Sequence, residues 1–339
     1  MKISALGEFP LIERVAQRLP PYRNDVRVGV GDDVAVLRLD DQRYQLATCD
    51  IQVEGAHFLR HSITPYQLGR KAAAINLSDI AAKGGMPQHF LVSLALPPDT
   101  EVSWVEALYD GLREEAGQYG ADIVGGNMAK TDGPIVVDVF LLGQVRQEEA
   151  LLRCGARAGD LVLVTGWLGE AAGGMALLLQ SDLAVGKEEA EQLLAAHLTP
   201  TPRVGEGRAI ASKRLATAMI DLSDGLSSDI GHICDESHVG VRIWADRLPV
   251  SRATRRVAEL IGRLGWALAL QGGEDYELCF TAPPEAEREL AAAVKEATGT
   301  EVTCIGEVLP EEGGRWVQVP DGGEIPLKRE GWDHFRVEA

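Results

Sequence analysis

The sequence predicts two consecutive domains, each built from both helices and strands. Its 339 residues exceed the usual size of one domain. Strand and helix patterns follow one another irregularly through both halves. Residues 146–159 are charged and carry neither pattern, as is typical of a linker. We therefore place the domains at residues 1–150 and 151–339.

The first half is organised around a helix that begins after Thr64. Thr64-Pro65-Tyr66-Gln67 is a capping box with proline at the first helical position, and Gly84-Gly85 is a helix stop. Asn76 and Asp79 lie three residues apart near its C-terminal end, where the helix dipole disfavours a carboxylate unless a cation is close. From this stretch alone, a solvated acid in the last turn explains Asp79 equally well.

Further elements of the first half follow from the spacing of apolar residues. The predicted helices are 11–18 and 103–119, and the predicted strands are 26–30, 35–39, 44–49, 90–96, 121–124 and 135–142.

The second half has shorter strands, predicted at 161–165, 218–221 and 278–281. The first of them leads into a glycine-rich turn, 166–174, and a helix. This turn resembles a phosphate-binding turn, but no Gly-Lys-Ser/Thr follows it and its glycines match neither nucleotide fingerprint. Packing of a helix on a sheet explains the glycines equally well.

Acidic side chains recur at the predicted ends of these elements. They are Asp32, Asp33, Asp50, Asp79, Asp221, Asp224 and Glu274. If a few of them converge, each close pair repels by about 1 kcal/mol in water and by about 4 kcal/mol at an effective dielectric constant of 20. Such a cluster requires cations, and ligands that are all oxygen indicate magnesium or calcium. Magnesium commonly bridges carboxylates to substrate phosphates, which favours metal-assisted phosphoryl transfer.

Two hydrolytic chemistries fit the sequence less well than phosphoryl transfer does. Glycoside hydrolysis needs only two carboxylates, and the Gly-x-Ser-x-Gly elbow of many hydrolases is absent from the sequence.

The overall charge limits the class of partner, and the cysteines bear on metal type and cellular location. With 33 Lys and Arg against 51 Asp and Glu, the net charge of −18 disfavours a nucleic-acid partner. A phosphorylated substrate would be repelled too, unless metal ions intervene. The five cysteines are scattered without a Cys-x-x-Cys pair, which argues against zinc and favours a reducing, cytoplasmic location. No apolar run has the length of a membrane span.

Several of these motifs together carry a family resemblance that spans nearly the whole chain. They are Gly31-Asp32-Asp33, Asp50 with residues 53–58, Asn76 to Ala82, Asp221 to Leu226, Gly272 to Leu278 and Trp332 to Phe335. The sequence resembles the thiamine-monophosphate kinases, of the superfamily that includes aminoimidazole ribonucleotide synthetase. This resemblance implies an N-terminal α+β domain and a C-terminal α/β domain. It also implies a homodimer in which the mixed N-terminal sheet pairs with its copy to form a barrel. ATP and thiamine monophosphate would meet between the domains and give thiamine diphosphate and ADP by direct in-line transfer, with no nucleophile from the protein.

The resemblance also assigns roles to residues. Magnesium ligands would be Asp33, Thr48, Cys49, Asp50, Asp79, Asn127, Asp221 and Asp224. ATP contacts would be Gly126, Asn127, Arg153 and Ser223, and contacts to the thiamine part would be His57, Glu274 and Trp332. An indole suits a cationic thiazolium ring, because the face of the indole is negative.

The sequence departs from the family pattern at two of these positions. Asn127 replaces an acid and Cys49 replaces a threonine. Asn127 offers an oxygen without a charge, so we expect weaker binding of that metal. Two alternatives therefore stay open: a sister enzyme of the superfamily with another substrate, and a paralogue that binds nucleotide and magnesium without catalysis.

Overall fold

The computed structural model describes residues 2–180, 182–328 and 335. Its α-helices are α1 (Glu8–Ala16), α2 (Pro65–Ala82), α3 (Val102–Gln118), α4 (Glu170–Leu179), α5 (Lys187–Leu198), α6 (Val204–Lys213), α7 (Leu226–Ser237), α8 (Arg252–Leu260), α9 (Gly265–Gln271) and α10 (Glu287–Thr298). In this part of the chain no helix is long and apolar enough to cross a membrane.

The N-terminal half forms a mixed six-stranded sheet in the order β1-β2-β3-β6-β4-β5. The strands are β1 (Val26–Val28), β2 (Ala35–Arg38), β3 (Arg43–Val53), β4 (Met86–Leu96), β5 (Asp122–Lys130) and β6 (Val136–Arg146). The edge strand β5 runs parallel to β4, and the other neighbours are antiparallel. The sheet is open in this single chain, because β1 and β5 are its two edges.

The C-terminal half forms a seven-stranded sheet in the order β13-β12-β9-β11-β7-β10-β8. The strands are β7 (Leu161–Thr165), β8 (Ala218–Asp221), β9 (Val239–Trp244), β10 (Leu278–Ala282), β11 (Val302–Pro310), β12 (Arg315–Gln318) and β13 (Glu324–Pro326). Only β12 and β9 pair in parallel within this sheet of the described residues. Both halves therefore combine helices with mixed sheets, which confirms a two-domain fold. The C-terminal half was expected to be α/β, but its largely antiparallel sheet makes it α+β like the N-terminal half.

Helix α2 lies at the centre of the molecule. Thr64 caps it with the predicted capping box, and Gly84 at φ +64° follows its end. Its small residues let helix α6 of the C-terminal half approach closely: a Cβ on Gly207 would lie 2.2 Å from the carbonyl oxygen of Ala81. Buried apolar residues of both halves join in one core around α2. This packing holds the C-terminal end of α2 against strand β8.

Two predicted strand ends were wrong. Strand β3 continues through Asp50 to Val53, because it pairs with β6 along its full length, so Asp50 lies within a strand. Likewise, Gly126 and Asn127 lie inside β5 and pair with Val92 and Ser93 of β4. Glycines are poor strand formers, and tertiary pairing overrides that preference here.

Candidate active site

Three carboxylates from separate elements converge where the two halves meet. Asp33 precedes β2, Asp79 is in the last turn of α2, and Asp221 ends β8. One oxygen of each lies within 4.8 Å of the others. We call these three residues, together with Asp50, the carboxylate cluster. The sequence predicted all four as neighbours of a metal, and the fold brings them together.

Hydroxyl groups orient two of these carboxylates. Thr48 Oγ1 donates to Asp79 Oδ2, and Ser78 Oγ donates to Asp221 Oδ2 over 2.7 Å. Thr48 and Asp50 are two residues apart on β3, so both side chains lie on the sheet face that α2 covers. Asp50 and Asp79 are close enough for the charge of Asp50 to raise the pKa of Asp79.

The cluster holds more negative charge than its surroundings neutralise. Burial, followed by the charge of Asp50, raises the pKa of Asp79 well above its ordinary value. Burial likewise raises the pKa of Asp50 to about 6 and that of Asp221 to about 7, with the charge of Asp33 contributing to both. These shifts follow from like charges held close together away from water.

Asp33 differs from the other three because two cations contact it. Lys83 Nζ lies 2.7 Å from Asp33 Oδ2 and 2.5 Å from Asp32 Oδ1, and Arg153 Nε donates to Asp33 Oδ1 over 2.9 Å. Burial opposes ionisation of Asp33, but Arg153 and Lys83 outweigh it and hold its pKa below the ordinary value. Lys83 directly follows α2 and was not predicted, because its partners Asp32 and Asp33 are distant from it in sequence.

The donor set fits a magnesium site. All four residues of the carboxylate cluster offer oxygen ligands, as Mg²⁺ prefers. Asp50 Oδ2 is buried without a hydrogen-bond partner, which is costly unless a cation or water completes it. The raised pKa values of Asp50, Asp79 and Asp221 indicate the same deficit of positive charge.

A second acidic site lies in the loop after α9. Glu274 Oε1 is 2.8 Å from Lys71 Nζ, and Glu274 Oε2 is 3.1 Å from His197 Nδ1. Burial alone would raise the pKa of Glu274, but Lys71 and then His197 lower it to about 2. Glu274 was predicted from the family resemblance, whereas Lys71 and His197 were not identified, since they are distant in sequence from Glu274.

Three other predicted residues lie on strands β3 and β5. Cys49 faces the opposite side of β3 from Thr48 and Asp50, so its thiol is directed away from α2. Gly126 and Asn127 are exposed on the edge strand β5. At Gly126 a Cβ would lie 1.9 Å from the carbonyl oxygen of Val92, so strand packing explains this glycine.

The remaining predicted residues that the structure describes lie in loops. Ser223 O accepts a 2.7 Å hydrogen bond from Glu274 N–H, which ties the two loops together. Asp224 N–H donates to Asp229 Oδ2 over 3.2 Å. His57 Nδ1 accepts from Val53 N–H over 3.1 Å within a local turn. Trp332 lies outside the described residues.

The glycine-rich turn before α4 serves helix packing. Asp275 accepts hydrogen bonds from Gly169 N–H over 2.7 Å and from Ala171 N–H over 3.2 Å, so a carboxylate of the chain already caps this helix N-terminus. A Cβ on Gly174 would lie 2.1 Å from Leu193 O, which shows how closely α4 and α5 pack.

Comparison with known proteins places this architecture in one class. The family model for the AIR synthase related protein, N-terminal domain, matches residues 31–145, and that for the C-terminal domain matches residues 157–317. Both halves of the chain are thus those of AIR synthase related proteins.

Comparison with individual proteins identifies the family within this class. Thiamine-monophosphate kinase of Escherichia coli (strain K12) is 40% identical over 331 residues, covering 98% of this chain and 99% of that protein. The solved structure of AaThiL complexed with AMPPCP and TMP matches with a TM-score of 0.84 and 36% identity, covering 98% of this chain and 99% of that one. The crystal structure of thiamine monophosphate kinase from Aquifex aeolicus matches with a TM-score of 0.79 and 36% identity, covering 96% and 100%. The chain belongs to the thiamine-monophosphate kinase family.

Proposed function

We propose that this protein is an ATP-dependent phosphotransferase that converts thiamine monophosphate to thiamine diphosphate, with release of ADP. The observation that carries this proposal is the carboxylate cluster, formed by both halves of a chain that belongs to this kinase family. A relative has been solved with AMPPCP and TMP, which is the pair of ligands expected for such a reaction.

Magnesium is part of the proposal. Asp33, Asp50, Asp79 and Asp221 would hold it, with Asp224 close by in sequence. When bound, Mg²⁺ neutralises phosphate oxygens and thereby lowers the repulsion between the two phosphorylated substrates. Thr48 and Ser78 orient the carboxylates that it would need.

The protein itself needs to supply neither a nucleophile nor a general base. A phosphate monoester with a second pKa near 6 is mostly dianionic at pH 7, so thiamine monophosphate can attack directly. What the chain contributes is positioning: the cluster at one end of α2 and Glu274 near its middle. Arg153 and Ser223 are the proposed nucleotide contacts, with Gly126 and Asn127 on β5, and His57, Glu274 and Trp332 are proposed for the thiamine part.

A homodimer also belongs to the proposal, and two features support it. Strand β5 is an unpaired edge on which Val124 and Met128 are 58% and 61% exposed. The sheet face away from α2 exposes Ile51 and Leu91, at 48% and 39%. An exposed edge with apolar side chains favours pairing with another chain. We propose that it pairs with its copy to close the barrel. Sedimentation velocity should show a dimer, which Val124→Arg should weaken.

Two further predictions stay proposals. The domain division at residues 1–150 and 151–339 is supported by the segment 147–160, which connects the two sheets. The cytoplasmic location still rests on the scattered cysteines of the sequence.

The direct test is product formation from thiamine monophosphate and ATP. Thiamine diphosphate should form with magnesium and disappear both after metal removal and in Asp79→Asn. Absence of product from the wild-type protein, with ATP still bound in a calorimeter, would contradict the kinase and favour the sister enzyme or the non-catalytic paralogue.

A further inference from the structure

Lys71 is a buried cation outside the carboxylate cluster. Its side chain is only 1% exposed, and it extends from α2 in the N-terminal half to Glu274 in the C-terminal half. A buried lysine is costly unless it is paired, so this contact is a built feature of the interface between the domains.

The backbone around Glu274 is fixed independently. Glu274 and Tyr276 have φ values of +65° and +50°, which residues other than glycine seldom adopt. Their N–H groups donate to Ser223 O over 2.7 Å and to Leu222 O over 2.9 Å. The loop that carries Glu274 is therefore attached to the loop between Asp221 and Asp224, and strain of this kind is characteristic of functional sites.

The side chain of Glu274 keeps some accessible surface. It is 29% exposed, although Lys71 and His197 contact its two oxygens. A carboxylate offers about four lone-pair positions, so roughly two remain for an external donor. Because Lys71 cancels the charge of Glu274, the pair offers hydrogen-bond acceptors with little net negative charge.

We propose that Lys71 is a positioning residue for substrate recognition. Together with His197, it orients Glu274 so that its remaining lone pairs accept hydrogen bonds from the exocyclic amine of the aminopyrimidine. On this view Glu274 recognises a hydrogen-bond donor and not the positive charge of the thiazolium. The inference rests on the proposed function, since it assumes that Glu274 contacts thiamine monophosphate.

Helix α2 carries both Lys71 and Asp79, and its geometry fixes the distance between them. Lys71 and Asp79 are eight residues apart on one continuous helix, which separates them by about 12 Å along its axis. A single rigid element thus sets the distance between the site for the organic part of the substrate and the site for its phosphate.

The test compares Lys71→Met with the wild-type protein in steady-state kinetics. We expect the KM for thiamine monophosphate to rise about ten-fold or more, as for a disoriented hydrogen-bond acceptor, and the KM for ATP to stay within about two-fold. Arg70→Met is the matched control: it removes the neighbouring cation of α2, which pairs with Glu115 of α3 at 2.7 Å. This control should leave both KM values unchanged.

A substrate analogue tests the type of recognition. The monophosphate of oxythiamine keeps the thiazolium charge and replaces the exocyclic amine by an oxygen. The wild-type protein should use it poorly, and Lys71→Met should discriminate less between the two substrates. If Lys71→Met does not fold, His197→Asn serves in its place, with a smaller rise in the same KM.

Three outcomes would overturn the inference. An unchanged KM for thiamine monophosphate, or an equal rise in both KM values, would make Lys71 structural only. Equal use of both substrates by the wild-type protein would exclude recognition of the amine. A wild-type protein without thiamine diphosphate formation would instead contradict the proposed function, and the inference with it.

Discussion

The carboxylate cluster and Glu274 use the same chemical group in opposite electrostatic settings. In the cluster, burial and neighbouring carboxylates raise the pKa of Asp79, whereas at Glu274 the cation of Lys71 outweighs burial and lowers the pKa to about 2. The cluster thus needs a cation from outside the chain, and Glu274 has one within it. This difference separates the proposed metal site from a carboxylate that the chain itself neutralises.

The largest expected effect comes from removing a charge of the cluster. Asp79→Asn should lower kcat by about 100-fold or more, since loss of one preorganised electrostatic group commonly costs that much. Glu274→Gln should act chiefly on the KM for thiamine monophosphate. Initial rates at varied substrate and saturating magnesium give both values. A similar loss of kcat in Asp79→Asn and Glu274→Gln would show that the two carboxylates do not differ in role.

The same two substitutions should change stability in opposite directions when magnesium is absent. Asp79→Asn removes an unfavourable buried charge and should raise the melting temperature of the metal-free protein. Glu274→Gln leaves Lys71 without its partner and should lower the free energy of unfolding by on the order of 2 kcal/mol. Calorimetry with a chelator present measures both. Stability changes of the same sign in both variants would show that Asp79 and Glu274 lie in equivalent electrostatic settings.

Stability of the metal-free protein should also depend on pH in two ways. The folded-state pKa values of Asp50 and Asp221 are raised to about 6 and about 7, so the folded protein binds more protons than the unfolded chain, and stability should fall from about pH 4 to pH 7. The pKa of Glu274 is lowered to about 2, so its contribution is present above about pH 4.5 and lost as the pH falls towards 2.

Denaturant unfolding across this range tests the assignment. Magnesium at saturating concentration should remove the decline between pH 4 and 7, because it favours the ionised carboxylates. A decline that magnesium leaves unchanged would place its origin outside the cluster.

The smallest effect is expected at Asn127, which lies on the exposed strand β5. Asn127→Asp should tighten the magnesium dependence and leave turnover equal or higher, because it adds a charge where the family has an acid. Activity titrated with magnesium, beside Asn127→Ala, gives the comparison. A large loss of turnover would show that the site is built around the amide.

Much of this site could be predicted from local sequence, but the lysines that pair with its carboxylates could not. The capping box at Thr64 and the short strand before Asp221 are local signals, and both elements are found where predicted. In the sequence, Lys71 and Lys83 cannot be told from ordinary surface lysines of a helix. Only the packing of the folded chain brings Lys83 to Asp32 and Asp33, and Lys71 to Glu274 of the other half. The position of Asp50 inside β3 depends likewise on pairing with β6, which is 86 or more residues distant along the chain.

The contacts of α2 have a consequence for how substrates enter. Ser78 bonds to Asp221, and Lys83 Nζ donates to Met219 O over 3.3 Å, so α2 is joined to strand β8 through groups that are almost fully inaccessible to water. Rotating one half away from the other would expose or orphan these groups, at a substantial cost in free energy. We therefore expect the two halves to move as one body during turnover, so that any motion that admits substrates is local to the loops that carry Ser223 and Glu274.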